Sequence, residues 1–465
     1  MILTYQDLLE RTTETDRQNF IHSSIEKHKT SDRFKTSKIA RQYFHNHNPT
    51  IEAYQKLLYS VTGQVIPDDI SPNHKLKNNM FKIFLIQQVQ FLLGNGISWN
   101  SGEQNETLGS DFESKIQKAA REALIGGVSY GFFNLDHIEI FDAEEFIPLY
   151  DETDGALKAG VRFWQIDSTK PLRATLYEMD GYTEYCWKNG QCEILQDKRA
   201  YIISYKGTEI DGMKIYKGEN YPGFPIVPMF CQDSKESAIV GHRESLDAYD
   251  LIKSGFANDL DEASQIYWLI QNAGGMDEVD LANFLNQIQR IHAAVVDDDG
   301  AKAEAHTIQI PYEAREKILD RLEKDLFRDF MAFDPRSIAD GAVTATEITA
   351  GYEPLNSKED DFETYVTDFI RGILNIAGID DEPAYTRSMI INKQEEINNV
   401  LNAASYLPDD YVTRKILTIL GDIDLVDNIL DQMAAEGLER MSVNEGNMGG
   451  QKNEREAQES GETNT

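Results

Sequence analysis

From Ser245 onward apolar residues recur every three or four positions, and the stretch to Phe333 reads as two long helices around a compact excursion. In the first, residues 245–272, the side chains Ile252, Phe256, Leu260, Ala263, Tyr267 and Ile270 share one stripe, and Ala273-Gly274-Gly275 ends it. The second, residues 311–333, opens on Pro311, which suits a first helical position because it has no amide donor to leave unpaired. Its stripe is Ile318, Leu322, Leu326, Phe330 and Phe333, flanked by Glu313/Lys317 and Asp320/Lys324, acid before base at four-residue spacing. At 1.5 Å per residue the predicted helices span roughly 42 and 35 Å. Pattern alone is compatible with an ordinary antiparallel helix pair in a core. Between them, Val279 to Ile288 predicts a short helix with Leu281, Phe284, Leu285 and Ile288 on one side. Asp297-Asp298-Asp299-Gly300 then predicts a hairpin turn before a strand ending at Ile310. A calcium loop is rejected by spacing: with Gly300 at the invariant glycine of such a loop, the first ligand would be Val295.

The rest of the chain divides by period. Residues 1–60 read as helical, with Lys27, Lys29, Arg33, Lys35, Lys38 and Arg41 close together against Glu26 and Asp32. That run is either a solvated helix face or a contact for an acidic partner, a neighbouring copy of the chain among them. His45-Asn-His-Asn-Pro49 has no further ligand nearby and reads as a polar loop rather than a metal pair. Asn79 to Trp99 holds a helix built on Phe81, Phe84, Leu85, Val89, Leu92 and Leu93, stopped by Gly94-Asn-Gly96. Asp111 to Ile125 predicts another, broken by Gly126-Gly127. Strands follow at 130–134, 138–141, 146–150, 160–164, 174–178 and 200–205, and Phe224-Pro-Ile-Val-Pro-Met-Phe230 is extended because two prolines exclude helix. Asn189-Gly190 predicts a two-residue hairpin that sets Trp187 opposite Cys192 and Cys186 opposite Glu193, with the two sulfurs on opposite faces. After Phe333 the small, polar run to Glu347 predicts a mobile loop. A third long helix is expected over Leu355–Ala377 with Phe362, Val366, Phe369, Ile370 and Ile373 as its stripe. Short helices are expected over 389–405, 409–420 and 425–435, and residues 441–465 lack the apolar content to fold. The fold class is α+β.

Composition narrows the function. With 465 residues, 41% of them hydrophobic, the chain can bury real cores. Asp plus Glu number 79 against 45 Lys plus Arg, a net charge of −34 that excludes gripping nucleic acid through its phosphates; nucleic acid either is no partner or must pass without sticking. No run of 18 apolar residues predicts a membrane span, the start lacks a signal peptide's regions, and three cysteines indicate a reducing compartment. No Walker A loop, His-Glu-x-x-His, paired Cys-x-x-Cys or Gly-x-Ser-x-Gly is present, and Gly94-Asn-Gly96 lacks a third glycine and a preceding strand. No cofactor, metal or catalytic residue is therefore expected. Carboxylates are too abundant for any pair to mark acid–base chemistry.

Several stretches together resemble the portal proteins of tailed bacteriophages, in particular those of siphophages of Gram-positive hosts. They are Ile39-Ala-Arg-Gln-Tyr-Phe-His-Asn-His-Asn-Pro, the helix ending Leu92-Leu-Gly-Asn, Tyr130-Gly, Phe146-Ile-Pro-Leu-Tyr-Asp151, and Phe224-Pro-Ile-Val leading into Leu246-Asp-Ala-Tyr-Asp-Leu-Ile-Lys-Ser-Gly-Phe-Ala-Asn-Asp259. Their order over about residues 30–400 carries the resemblance; Thr344-Ala-Thr-Glu-Ile departs from the Ser-Gly that the family often has there. The resemblance implies a portal fold: a wing over 1–244, stem helices at 245–272 and 311–333, and a small α/β clip at 273–310. A channel loop at 334–352, a long wing helix at 353–388, a helical crown at 389–440 and a disordered tail at 441–465 complete it. It implies a ring of about twelve copies, closed by cyclic symmetry, at one capsid vertex of the virion, assembled in the bacterial host cytoplasm. DNA would be packaged and ejected through it. The terminase large subunit, a head–tail adaptor and the major capsid protein or scaffold would be its partners. The subunit interface would use Ile252, Phe256, Leu260, Tyr267, Ile318, Leu322, Leu326 and Phe330, and clip docking Phe284, Ile288, Asp297, Asp298 and Asp299. Arg336, Ser337, Thr344, Thr346 and Glu347 would line the channel loop. The competing readings are an acidic assembly scaffold or adaptor without a channel, and a metal-dependent nuclease.

Overall fold

A computed structural model describes residues 3–59, 64–68, 71–101, 106–210, 213–263, 267–271, 279, 302–306, 311–338, 345–389, 393–420, 426, 429–430 and 432–433. The chain forms two compact units, residues 1–334 with 353–388, and residues 335–352 with 389–465. The larger unit opens with α1 (Tyr5–Leu9), α2 (Glu14–Thr30), α3 (Asp32–Phe44) and α4 (Pro49–Ala53). Each follows a residue whose side chain accepts a first-turn N–H: Thr4, Thr13, Ser31 and Asn48. The His45–Pro49 stretch is thus a connector, with His45 closing α3 and Asn48-Pro49 opening α4. A hairpin of β1 (Leu57–Tyr59) and β2 (Val65–Pro67) precedes α5 (Met80–Leu93), β3 (Ile97–Trp99) and α6 (Phe112–Gly126). Gly127 ends α6 at φ +82°, and a Cβ there would stand 2.5 Å from the Lys235 carbonyl oxygen. Only glycine makes this switch from helix to strand without strain.

The β-rich part follows as β4 (Val128–Asn134), β5 (His137–Phe141), β6 (Phe146–Tyr150), β7 (Leu157–Trp164), β8 (Leu172–Glu178), β9 (Gly181–Lys188), β10 (Gln191–Arg199), β11 (Ile202–Ile210), β12 (Met213–Glu219) and β13 (Ile226–Phe230). They form antiparallel sheets in the orders β10-β9-β8-β7-β6, β13-β4-β5 and β11-β12. At the β9–β10 turn Asn189 and Gly190 have φ +55° and +78°, and Cys192 pairs with Trp187 and Glu193 with Cys186, the register that the turn residues predict. On the five-stranded sheet, α2 lays Phe20, Ile21 and Ile25 over Leu149, Val161, Leu176 and Tyr185. The main core gathers α3, α5, α6 and one face of β4 and β5 around Phe84, Leu92, Ile116 and Ile138.

Next come α7 (Arg243–Ala263), β14 (Tyr267–Gln271), β15 (Lys302–His306), α8 (Tyr312–Asp329), α9 (Ala345–Ala377) and β16 (Pro383–Tyr385), which pairs with β3. The expected stripe of α9 is buried: Phe362, Val366, Phe369, Ile370 and Ile373 all lie in the main core. The smaller unit contains α10 (Lys393–Ala403) and α11 (Asp409–Leu420), which pack together.

Three element ends differ from the sequence reading. The first long helix stops at Ala263, and Tyr267–Gln271 is a strand paired antiparallel with Lys302–His306. Tyr-Trp-Leu-Ile suits a strand once a partner exists, and that partner lies over thirty residues away, beyond what local periodicity reports. The second helix stops at Asp329 with Pro311 as its cap, not its first residue. Met331 takes a left-handed φ of +50°, and the Gln87 side chain accepts from the Phe333 N–H (3.0 Å) and donates to its carbonyl (2.9 Å). Phe333 is therefore buried by this clamp, not by helix phase. The third helix begins at Ala345, so residues 345–352 of the expected channel loop are helical, with Glu347 in a first turn that favours acids.

Candidate functional site

The two long helices α7 and α8 pack against each other and are joined by the Arg315–Asp259 ion pair. The N-terminal part of α7 sends Leu246 and Tyr249 into the main core. From Asp250 the buried positions turn polar: Asp250, Ser254 and Asn258, four residues apart, are 1%, 4% and 3% exposed. They hold a strap, residues 74–78. The Asn78 N–H and side-chain amide donate to Asp250 Oδ1 (2.8 and 2.7 Å), the Leu76 N–H to Ser254 Oγ (3.0 Å), and the His74 N–H to Asn258 Oδ1 (2.6 Å). Four residues of helix rise about 6 Å and two of extended chain about 6.6 Å, so successive rungs stay in step. Asn48 Nδ2 donates to the second Asp250 oxygen (2.8 Å), and the Tyr43 hydroxyl donates to Asp247. Burial pushes the Asp250 carboxyl up, against the bonds from Asn48 and Asn78 that favour its charged form. Burial and the bond to Asp247 push the Tyr43 phenol up to about 12. Polar residues at four-residue spacing were visible in the sequence, but they read equally as a solvated face.

With its polar side turned inward, α7 leaves its apolar stripe poorly covered. Ile252 and Phe256 are half-buried, Leu260 is 52% exposed, and Leu251 beside them is 44% exposed. On α8, Ile318 is 48% exposed and Leu322 half-buried. Leu326 and Phe330 are different: both are buried in the chain's own core, where the Phe330 ring lies 4.6 Å from Phe84 and 4.3 Å from His242. This corrects the expectation for those two, since a side chain enclosed by its own molecule has no surface for a neighbour. The Tyr267 backbone lies on β14 and not on the helix that the sequence predicts.

The excursion starts and ends in the β14–β15 ladder, which brings Gln271 opposite Lys302. Phe284, Ile288, Asp297, Asp298 and Asp299 lie outside the described residues, as does Thr344. Arg336 and Ser337 sit on a 3-10 turn, Pro335–Ile338, and Thr346 and Glu347 on the exposed first turn of α9. The basic run of the N-terminal helices is divided in its uses. Arg41 is caged by Glu122 (2.9 Å), Asp142 (2.8 Å) and Glu144 (2.7 Å), while Lys29 pairs with Glu26 and Lys35 with Asp32. Among the described residues, no three His, Cys, Asp or Glu side chains are placed to hold a metal, and no helix is long and apolar enough to cross a membrane.

The family described as "Phage portal protein, SPP1 Gp6-like" matches residues 22–442. The portal protein of Clostridium phage phiCD119 is 24% identical over 415 residues, covering 81% of this chain and 87% of that protein. The portal protein of Bacillus phage SPP1 is 23% identical over 320 residues, covering 63% of this chain and 60% of that protein. Among solved structures, a chain from the neck of an empty gene transfer agent particle computed with C6 symmetry aligns at TM-score 0.43 and 11% identity. That alignment covers 73% of this chain and 90% of that one. A chain from the neck of the native particle computed with C12 symmetry aligns at TM-score 0.40, with 73% and 87% covered.

Proposed function

The chain belongs to the SPP1 Gp6-like phage portal protein family, a structural component of the virion, and from that premise we propose that its copies close into a ring whose stem is α7 and α8. One observation carries the assembly: α7 directs Asp250, Ser254 and Asn258 into its own molecule and leaves Ile252, Phe256 and Leu260 incompletely covered. Apolar surface left in water at a helix pair is stabilised by burial against the same pair of a neighbour, at about 25 cal/mol per Å2. Ile252, Phe256, Leu260, Ile318 and Leu322 form the subunit interface.

In this reading about twelve copies surround a central channel in closed cyclic symmetry, set at one capsid vertex and assembled in the host cytoplasm. Double-stranded DNA passes without sequence preference. The net charge of −34 makes the wall repel phosphates, so DNA slides instead of binding. The excursion beyond β14 and β15 is the clip, where the terminase large subunit and then the head–tail adaptor dock. The 3-10 turn with Arg336 and Ser337, and Thr346 and Glu347 on α9, stand at the channel loop, and α10 and α11 belong to the crown, towards the capsid interior. Major capsid protein or scaffold contacts the wing. The motor that drives DNA is a separate protein. Electron micrographs of the purified protein test this: closed rings with a central hole are expected, and a stable monomer in the same preparation would overturn the reading.

A further inference from the structure

Three cations of the larger unit meet at one cavity of about 460 Å3. Lys27 comes from α2, Arg33 from the first turn of α3, and Lys235 from the turn after β13, all three exposed at its rim. Its lining is aromatic beneath them: Phe146 and Tyr130 are buried, and Phe230 lies under the Lys235 ammonium at 4.3 Å. Among the described residues no Asp or Glu lines it, in a chain that has 79. Of the other cations of the same basic run, Arg41 is paired with three carboxylates and Lys29 and Lys35 with one each, while Lys38, on the outer face of α3, lies away from the cavity lining. Among the described residues Lys27, Arg33 and Lys235 form no ion pair.

We infer that this cavity receives a segment of a neighbouring copy of the chain, an Asp or Glu carboxylate set beside an apolar or aromatic side chain. The inference rests on the ring reading above and deepens it by naming a receptor within the wing. Charge complementarity selects the occupant. Copies with a net charge of −34 repel one another, so a ring needs local cationic points that turn part of the repulsion into attraction. The rim cations take the carboxylate and the aromatic floor takes the apolar body. The volume falls within the ~300–1,000 Å3 range of sites that enclose ligand-sized groups.

The test uses rings formed from a mixture of unlabelled and 15N-labelled full-length chain, treated with a carbodiimide, which joins a lysine amine to a carboxylate as an amide with loss of water. The expected result is Lys27 or Lys235 joined to an Asp or Glu peptide of the opposite label. Lys27→Glu with Lys235→Glu should lower the salt concentration at which rings dissociate, while far-ultraviolet dichroism and the melting temperature of the dissociated subunit stay unchanged. Rings in which both lysines link only within one chain would overturn the inference, as would double-variant rings of wild-type salt stability. So would AMP shielding Lys27 from amine labelling without any intermolecular link, which assigns the cavity to a free anion. Wild-type protein that forms no ring removes the premise, and with it the neighbour.

Discussion

At Glu359 the fold encloses a carboxyl group, 0% exposed, with no hydrogen-bond partner for either oxygen. Burial pushes it above the ordinary carboxylate range, while burial lowers its neighbour Lys358, whose Nζ donates to the Phe330 carbonyl at 2.9 Å. In the window that opens above pH 4.5 the folded chain holds the Glu359 proton that the unfolded chain has lost, so stability falls as pH rises through it. Glu359→Gln keeps the shape and removes that proton. The melting temperature of the wild type should drop relative to the variant across this window, and parallel curves would show that the carboxyl is not held neutral. Gly160 is a second single-residue constraint: a Cβ there would stand 2.1 Å from Cζ of Phe146, which is 0% exposed. Gly160→Ala should cost ~1–3 kcal/mol by overpacking, seen as a lower urea midpoint with an unchanged slope. Neither constraint is legible in sequence, because both depend on which side chain another element brings close.

At the scale of elements, the ladder between α7 and the 74–78 strap predicts a local effect. Ser254→Ala leaves the Leu76 N–H unpartnered, and should cost ~1–2 kcal/mol with faster hydrogen exchange at the Leu76 amide. On the outer side, Phe256→Asp or Leu322→Asp places a charge where a neighbouring apolar stripe is expected, a penalty of several kcal/mol, ~3–5 if fully enclosed. Rings should fail to form while the subunit stays folded, as both side chains are only half-buried in the single chain. Leu326→Asp serves as the contrast: it enters a closed core and should unfold the subunit itself. Normal rings from Phe256→Asp and Leu322→Asp would mean the stripes do not meet neighbours. The stripes of α5 and α9 are readable because burial on one side of a helix forces a 3.6-residue period. The ends at Ala263 and Asp329 are not, because a distant strand and the Gln87 clamp decide them.

For the whole molecule, the proposal separates building the ring from docking on it. Substituting Asp297, Asp298 and Asp299 by asparagine should leave ring formation intact and weaken terminase or adaptor binding in a packaging assay. Full packaging activity in that variant would remove these residues from the docking role. The acidic balance acts at this scale as well. In the proposed ring a charge of −34 would oppose both the assembly of like copies and the trapping of DNA, calling for apolar and cationic contacts between neighbours in the first case and serving free passage in the second.

The amino-acid order by itself determined the α+β class, the α6-to-β4 switch at Gly126-Gly127 and the Asn189-Gly190 register. These depend on near neighbours in the chain, where helical period, turn residues and alternation act directly. Only the tertiary structure decided that Leu326 and Phe330 belong to the inside while Leu260 and Ile318 face out, and that Asp250, Ser254 and Asn258 turn inward to hold the strap. The same stripe of apolar residues serves a core or a neighbouring copy equally well, and the choice is made by whichever surface the fold brings against it.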